Sequence, residues 1–235
     1  MPVVFPGIEI IPGFAQNVLK IDPRRFHAEM RSRYPEATGD PAWGEVQWVD
    51  GANQVMRFRG NPVPRNILTL QRDCAIGFRT YTYTAWQWKA LPATADVSKC
   101  PEFEAVADAM DGWCAERGML PFNHFILTHY TDGSKRIGYH HDKVQDMPED
   151  AHIVVVKTGR TARPFGIRRK GSSEPFFHQV LDPGTAIVMS VAANLETQHS
   201  VPACEIAGPS GSISFRTIVT THENRAVRQK VAERQ

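Results

Sequence analysis

From residue 120 onward, the chain is a series of short segments rich in β-branched and aromatic residues, separated by turn residues. Examples are HFILTHY, HIVVVKTG, TAIVMSV and SISFRTIVT, and turn signals occur at DG (132–133), DPG (182–184) and GPSG (208–211). Many short strands punctuated by such turns are typical of a β-sandwich or barrel. The sequence therefore predicts a mainly β unit over about residues 120–222.

Two helical patterns precede this β unit. DPRRFHAEMRSRYP has Asp22 as a possible N-cap and Pro23 in the first turn, and CPEFEAVADAMDGWCAERG opens at Pro101 and closes at Gly118. Proline near the start and glycine just past the end are characteristic of helix boundaries. We therefore expect an α+β, mainly β fold in which a largely helical N-terminal part accompanies a β-sandwich or barrel.

Length and composition indicate one soluble domain. The chain has 235 residues, of which 42% are apolar and 22% are charged, so one core is the default for residues 1–235. About residues 1–119 would form a largely helical part beside the β unit. Apolar runs fall short of the roughly 18 residues that span a bilayer, and MPVVFPGIEIIPGF lacks a basic region and is interrupted by prolines. These features predict a cytoplasmic protein without a membrane segment, or a nuclear one if the source is eukaryotic. A monomer is expected.

Cysteine spacing excludes two kinds of structural site, whereas net charge excludes no class of partner. The four cysteines are scattered without CxxC spacing, which argues against a zinc knot or a disulfide framework. A formal net charge of +2 neither excludes nor indicates a polyanionic partner, because binding depends on local clustering of charge.

The stretch GYHHDK contains the strongest chemical signal. His140 and Asp142 are two residues apart, so in an extended chain both side chains point to one face. His199, in LETQHSVP, is a candidate third ligand. Two histidines and one carboxylate form a facial triad that binds ferrous iron and leaves positions open for other ligands.

Arg216, in SISFRTI, is a second candidate site residue. Its apolar neighbours Ile213, Phe215 and Ile218 predict a partly buried strand, where an unpaired charge is costly. The guanidinium is therefore expected to have a partner, and beside a metal it could bind a carboxylate through two hydrogen bonds.

Together these motifs resemble the AlkB family of Fe(II)/2-oxoglutarate dioxygenases. The resemblance runs in order from about residue 63 to 219 and includes FNHFILTHYTDGSKRIGYHHDK, DPGTAIVM, LETQHSVP and GPSGSISFRTI. It implies a double-stranded β-helix, or jelly roll, with N-terminal helices packed outside. It also implies that about residues 1–119 form a helical and substrate-lid part and that about residues 120–222 form the catalytic core. It also implies Fe(II) and 2-oxoglutarate as cofactors, O2 as cosubstrate, and His140, Asp142 and His199 as metal ligands and catalytic residues.

The cosubstrate positions match the family less completely. Tyr130 corresponds to the family tyrosine that contacts 2-oxoglutarate, and Arg216 to the second of two paired arginines. Thr128 stands where the family usually has asparagine. Ser210 stands where the first arginine binds the distal carboxylate of 2-oxoglutarate. The predicted cosubstrate-binding set is Tyr130, Thr128, Lys157, Ser210, Ser214 and Arg216.

The change at Ser210 leaves three outcomes open: a weak or inactive enzyme, a different 2-oxo acid, or another cation in place of the arginine. We favour the third. In IVVVKTG, Lys157 shares a face with Ile153 and Val155 by period two, and the family pattern makes that face the inward one. A lysine buried there needs an anion. If the strand register is shifted by one residue, Lys157 is exposed instead, and Arg160 is the alternative.

Family chemistry couples decarboxylation of 2-oxoglutarate to hydroxylation of a C–H bond, and a hydroxylated N-methyl group is released as formaldehyde. Arginines and aromatic residues alternate between residues 57 and 88, which suits contact with phosphates and stacking on a flipped base in single- or double-stranded nucleic acid. A core-packed hairpin explains the pattern equally well. The candidate substrate-binding residues are Arg65, Tyr81, Tyr83, Trp86 and Trp88.

Oxidative demethylation of alkylated nucleobases in DNA or RNA is the main functional prediction. The near-neutral charge and altered cosubstrate positions leave two alternatives: a hydroxylase of a nucleoside, small metabolite or peptide, and a metal-binding pseudoenzyme with impaired 2-oxoglutarate binding.

Overall fold

The computed structural model describes residues 3–38, 44–50, 57–58, 61–62, 65–72, 95–144, 147–205 and 208–218. The α-helices are α1 (Phe14–Asn17), α2 (Pro23–Arg33), α3 (Pro101–Arg117) and α4 (Val191–Glu196), and a 3-10 helix spans Val97–Lys99. The strands are β1 (Val3–Phe5), β2 (Ile8–Ile11), β3 (Val49–Asp50), β4 (Arg57–Phe58), β5 (Asn61–Pro62), β6 (Asn66–Gln71), β7 (Ala95–Asp96), β8 (His124–Tyr130), β9 (Ile137–His140), β10 (His152–Gly159), β11 (Arg163–Arg169), β12 (Pro175–Leu181), β13 (Ala186–Ser190), β14 (Thr197–Val201) and β15 (Ser210–Arg216).

Two antiparallel sheets form the core of the molecule. The larger has the order β1-β2-β13-β10-β15-β8-β6-β3, with β7 added in parallel to β6, and the smaller has the order β12-β11-β14-β9. From β8 to β15 the chain divides its strands between the sheets, with β8, β10, β13 and β15 in the larger and the other four in the smaller. This is the predicted double-stranded β-helix.

Strand β10 shows why its sequence is hydrophobic without interruption. Val154 and Val156 pack into the core that contains α2 and α3, whereas Ile153 and Val155 pack into the core shared with the smaller sheet. Both faces of this strand are therefore buried, and side chains alternate between the two cores. Lys157 follows Ile153 and Val155 on the inner face and is 2% exposed.

Strand β15 differs from β10 because its inner face is polar. Ile213 and Phe215 belong to the core that contains the helices, whereas Ser212, Ser214 and Arg216 line a cavity between the sheets. A strand that points polar residues into a barrel provides a lining for a polar ligand.

The two predicted helices are confirmed together with their caps. The Asp22 side chain accepts hydrogen bonds from the amides of Arg24 (2.8 Å) and Arg25 (3.3 Å), and Pro23 opens α2. Gly118 ends α3 in the left-handed conformation, with φ 63°, where a side chain is disfavoured. Apolar residues of both helices pack in one core with the outward residues of β8, β10 and β15, so the helices lie outside the barrel.

The N-terminal part contributes strands that the sequence did not predict. β1 and β2 form a hairpin, and β2 pairs with β13, while β6 pairs with β8 on the far side of the same sheet. The prolines in MPVVFPGIEIIPGF flank these short strands. In the described segments no helix combines the length and hydropathy needed to cross a membrane.

Candidate metal and cosubstrate site

Three predicted ligand residues converge inside the barrel. His140 is the last residue of β9, and it pairs in register with His199 on the neighbouring β14. Asp142 follows two residues later, after the chain has left the strand. One ligand atom of each residue lies within 4.8 Å of the others. Two imidazoles and one carboxylate at this spacing fit the facial set that binds Fe(II).

The backbone of Asp142 is fixed by a fully buried asparagine. The Asp142 amide donates to Asn194 Oδ1 (2.9 Å), and Asn194 Nδ2 donates to the Asp142 carbonyl oxygen (2.8 Å). Asn194 lies on α4, the short helix that directly precedes β14 and its His199. The paired hydrogen bonds hold the irregular backbone after His140 in one position, and satisfy polar groups that strand pairing no longer reaches.

A buried ion pair holds the Asp142 carboxylate. Arg216 Nη2 lies 2.7 Å from Asp142 Oδ2, and the two side chains are 4% and 9% exposed. Burial alone would raise the pKa of Asp142, but the positive charge of Arg216 outweighs it and holds the pKa below its usual range. The carboxylate is therefore ionised and oriented before any metal arrives.

Both histidines are held neutral. Burial, followed by the neighbouring His199, lowers the pKa of His140 to about 3, and burial is also the main cause of the lowered pKa of His199. The two rings are close, with centroids 4.4 Å apart. Neutral imidazoles are the form that binds metals, so neither ring must lose a proton near neutral pH.

A cavity of about 640 Å³, including its open mouth, surrounds these residues. Most of the predicted site residues lie in its wall. Its lining residues are Arg65, Ile67, Ile126, Thr128, Tyr130, Ile137, His140, Asp142, Val155, Lys157, Phe165, His199, Val201, Ser212, Ser214 and Arg216. Ser210 is buried beside the cavity without lining it. Tyr81, Tyr83, Trp86 and Trp88 lie outside the described residues, as do the whole stretch RTYTYTAWQW that contains them and residues 219–235.

Arg163, a fully buried arginine on β11, was not among the site residues predicted from the sequence. Its Nη1 donates to the carbonyl of Asp132 (3.0 Å), and its Nη2 donates to those of Lys135 (2.7 Å) and Pro202 (3.0 Å). It therefore joins the β8–β9 turn, which leads to His140, to the end of β14. Period two in RPFGIRR places this arginine on the same face as two buried residues, which was the available signal.

Asn194 was also missed. It is the polar residue in the otherwise apolar run VAANL, and it is completely buried. Arg160, the alternative to Lys157, is exposed at the end of β10. The register that puts Lys157 on the inner face is thus the one present.

A jelly roll that brings two histidines and a carboxylate together inside the barrel defines the class of mononuclear non-haem iron oxygenases. The sequence profile of the 2OG-Fe(II) oxygenase superfamily matches residues 50–225, well over half of the chain. The chain belongs to this superfamily and is a 2-oxoglutarate-dependent dioxygenase that uses Fe(II). Its donor set suits that metal.

A solved structure, that of OsALKBH1, has a similar fold. The match has a TM-score of 0.55 and 10% sequence identity, and covers 92% of this chain and all of the other. The AlkB-like fold expected from the motifs is therefore confirmed. No curated protein matches the sequence significantly.

Asn194→Ala is expected to weaken Fe(II) binding about 10- to 100-fold, because groups that orient a metal ligand affect affinity on this scale. The measurement is anaerobic Fe(II) titration, with thermal unfolding in parallel. Asn123→Ala is a matched control, because Asn123 makes the same pair of hydrogen bonds, at 2.8 Å each, to the backbone of Ile218. Both variants should lose stability, but only Asn194→Ala should lose metal affinity. Equal Fe(II) affinity in the two variants would contradict the orienting role.

Proposed function

We propose that this dioxygenase removes N-alkyl groups from nucleobases in DNA or RNA. The observation that carries the proposal is a cation in the cavity wall: Arg65 precedes β6, shares the lining with the candidate metal ligands, and contributes a positive charge felt by His140. In the sequence, β6 leads directly into a segment rich in arginine and aromatic residues. Positive charge near stacking residues suits a nucleotide that is flipped out of its helix.

In this proposal His140, Asp142 and His199 hold iron. Bound iron and 2-oxoglutarate supply the oxidising power that replaces a C–H hydrogen of the substrate with hydroxyl. Arg216 keeps the Asp142 carboxylate ionised and oriented, and Asn194 fixes its backbone. The protein thus contributes a preorganised site rather than reacting groups of its own.

The cavity also presents hydroxyl groups suited to a carboxylate ligand. Tyr130, Thr128, Ser212 and Ser214 lie on the two adjacent strands β8 and β15, and all four line the cavity. Hydroxyls can donate to carboxylate oxygens, so this wall is the proposed binding surface for 2-oxoglutarate. Ser210 lies next to it without lining it.

The atom balance of the proposed reaction is simple. One oxygen atom of O2 enters succinate as 2-oxoglutarate loses carbon dioxide, and the other enters the N-methyl group as hydroxyl. The resulting N–CH2OH breaks its N–C bond, which releases formaldehyde and returns the proton to the base nitrogen. Formaldehyde and succinate are therefore expected in equal amounts.

Single-stranded oligonucleotides carrying an N-methylated base test the proposal. Formaldehyde and succinate should form together, and affinity should fall as salt rises. Arg65→Met should weaken oligonucleotide binding and reduce the slope of log affinity against log salt by about one, the effect of losing one phosphate contact. Arg24→Met, which removes an exposed charge on α2, is the control and should leave the slope unchanged.

The alternative substrate class is a nucleoside, small metabolite or peptide. The altered cosubstrate positions, Thr128 and Ser210, favour it, because they are the departures from the family pattern that a member with a different substrate could show. Succinate formation without salt-dependent oligonucleotide binding would overturn the nucleobase proposal in favour of this class.

A further inference from the structure

Each of the two histidine ligands is preceded by a residue on the opposite face of the smaller sheet. Tyr139 precedes His140 on β9, and Gln198 precedes His199 on β14. Side chains alternate along a strand, so a ligand that points into the barrel has a neighbour that points out of it. Both outward residues contact the same side chain, that of Arg168 on β11.

Arg168 joins these two residues on the side of the sheet away from the metal ligands. Its guanidinium carbon lies 4.2 Å from the centre of the Tyr139 ring, and its Nε donates a hydrogen bond to Gln198 Oε1 at 3.0 Å. The contacts span three adjacent strands, in the order β11-β14-β9. We call Tyr139, Arg168 and Gln198 the outer clamp.

A glycine on β11 makes room for the Tyr139 ring. Gly166 lies between Phe165 and Ile167, which pack in the core inside the barrel, so a side chain at residue 166 would point outward. A Cβ atom there would overlap the Tyr139 hydroxyl oxygen and lie 3.2 Å from Cζ of the ring. The ring therefore rests directly on the backbone of β11, and a larger residue at 166 would displace it.

Strand β9 contains one extra residue just before His140. His140 pairs with His199 and Ile137 pairs with Val201, so three steps along β9 match two steps along β14. In a regular strand Ile137 and His140 would face opposite sides, but with this bulge both line the cavity. The Gly138 carbonyl, inside the bulge, accepts a hydrogen bond from His140 Nδ1 at 2.8 Å, which leaves Nε2 free for a metal.

Tyr139 is the residue of the bulge that has a side chain to hold, because the other is Gly138. Its ring is confined by the backbone of Gly166 and is faced by the Arg168 guanidinium, an attractive arrangement. A ring fixed against a neighbouring strand restricts the backbone of its own residue. His140 follows directly, so the direction of its imidazole depends on where Tyr139 packs.

We propose that the outer clamp positions the two histidine ligands of the metal site, with Tyr139 as its principal member. Tyr139 holds the bulge in the form that turns His140 inward with Nε2 exposed, and Arg168 ties that form to Gln198, next to His199. The three are positioning residues, because none of them lines the cavity. The inference concerns the metal site of the superfamily and is independent of which substrate is oxidised.

Tyr139→Ala is expected to weaken Fe(II) binding about 10- to 100-fold in an anaerobic titration, the scale found for groups that orient metal ligands. Tyr139→Phe should bind Fe(II) as wild type does, because it keeps the ring that packs on β11 and faces Arg168. Trp113→Ala is the matched control, because the Arg117 guanidinium carbon lies 4.9 Å from the Trp113 ring centre, on α3. It should lose stability in thermal unfolding and keep its Fe(II) affinity.

A second pair of variants tests the same contact from β11. In Gly166→Ala the new methyl group overlaps the Tyr139 hydroxyl, so the ring must move, and Fe(II) affinity should fall about tenfold or more. Adding Tyr139→Phe removes the overlapping oxygen and should restore most of that affinity. Gly112→Ala is the control, because a Cβ atom there has no neighbour within 4 Å, and it should bind Fe(II) as wild type does.

The orientation of His140 is measured without metal by NMR of protein labelled at the histidine ring nitrogens. His140 should be protonated at Nδ1 alone in wild type and should become a mixture of tautomers in Tyr139→Ala. An unchanged tautomer, or an Fe(II) affinity reduced no more than in Trp113→Ala, would overturn the proposal. If Tyr139→Ala does not fold, the β11 pair decides: a double variant that binds no better than Gly166→Ala also overturns it. None of these results depends on activity toward methylated oligonucleotides.

Discussion

Replacing Asp142 with alanine is expected to abolish Fe(II) binding and to destabilise the metal-free protein by about 3–5 kcal/mol. The two effects have separate causes. The metal loses its single anionic ligand, and Arg216, 4% exposed, loses the carboxylate that lies 2.7 Å away. Chemical denaturation in the presence of a chelator measures the second effect alone, and anaerobic Fe(II) titration measures the first.

A double variant tests whether the loss of stability comes from the unpaired charge of Arg216. Asp142→Ala combined with Arg216→Met removes both charges, so the double variant should be more stable than Asp142→Ala alone. Glu9→Ala is the surface comparison, because the Glu9–Arg117 pair is 28% exposed on each side and should contribute no more than about 1 kcal/mol. An Asp142→Ala protein as stable as Glu9→Ala would show that Arg216 does not depend on this carboxylate.

Arg163→Met is expected to be the most damaging substitution away from the metal ligands, with a loss of about 3–5 kcal/mol in the free energy of unfolding. Methionine fills similar space but donates no hydrogen bonds. The carbonyls of Asp132, Lys135 and Pro202 would then be left without the donor that now reaches them. Urea unfolding of the metal-free protein gives the measurement.

The variant Arg163→Lys distinguishes the contribution of the positive charge from that of the hydrogen-bond geometry. A lysine ammonium keeps the charge but cannot reach carbonyls on two loops as the planar guanidinium does, so this variant should lose most of the same stability. Arg169→Met, on the exposed end of β11 with its guanidinium 4.9 Å from the Phe5 ring, should lose no more than about 1 kcal/mol. Full retention of stability in Arg163→Lys would mean that charge, and not the hydrogen-bond geometry, is what matters.

Much of the fold follows from local patterns. The caps of α2 and α3 were predicted because Asp22, Pro23, Pro101 and Gly118 act on backbone geometry over one helical turn. The strands of the barrel were predicted because alternation and turn residues are also short-range signals. The pairing of β2 with β13 was not predicted, because it joins segments that are far apart in the chain.

The sequence by itself determined which kinds of side chain form the site. They are the histidine and aspartate of the HxD motif, a distant histidine, the arginine of SISFRTI and the lysine of IVVVKTG. Period two showed which side chains share a face, because side chains in a strand alternate. The choice of the inward face came from the family resemblance. It could not say which faces meet, since that depends on which strands become neighbours.

Only the tertiary structure decided the partners. It placed Arg216 against Asp142, set Asn194 on the backbone of Asp142, and gave Arg163 to the carbonyls of two loops. These contacts join residues between 28 and 74 positions apart in the sequence. Long-range hydrogen bonds form where packing brings strands and loops together. A local sequence pattern does not show which distant residues will become neighbours.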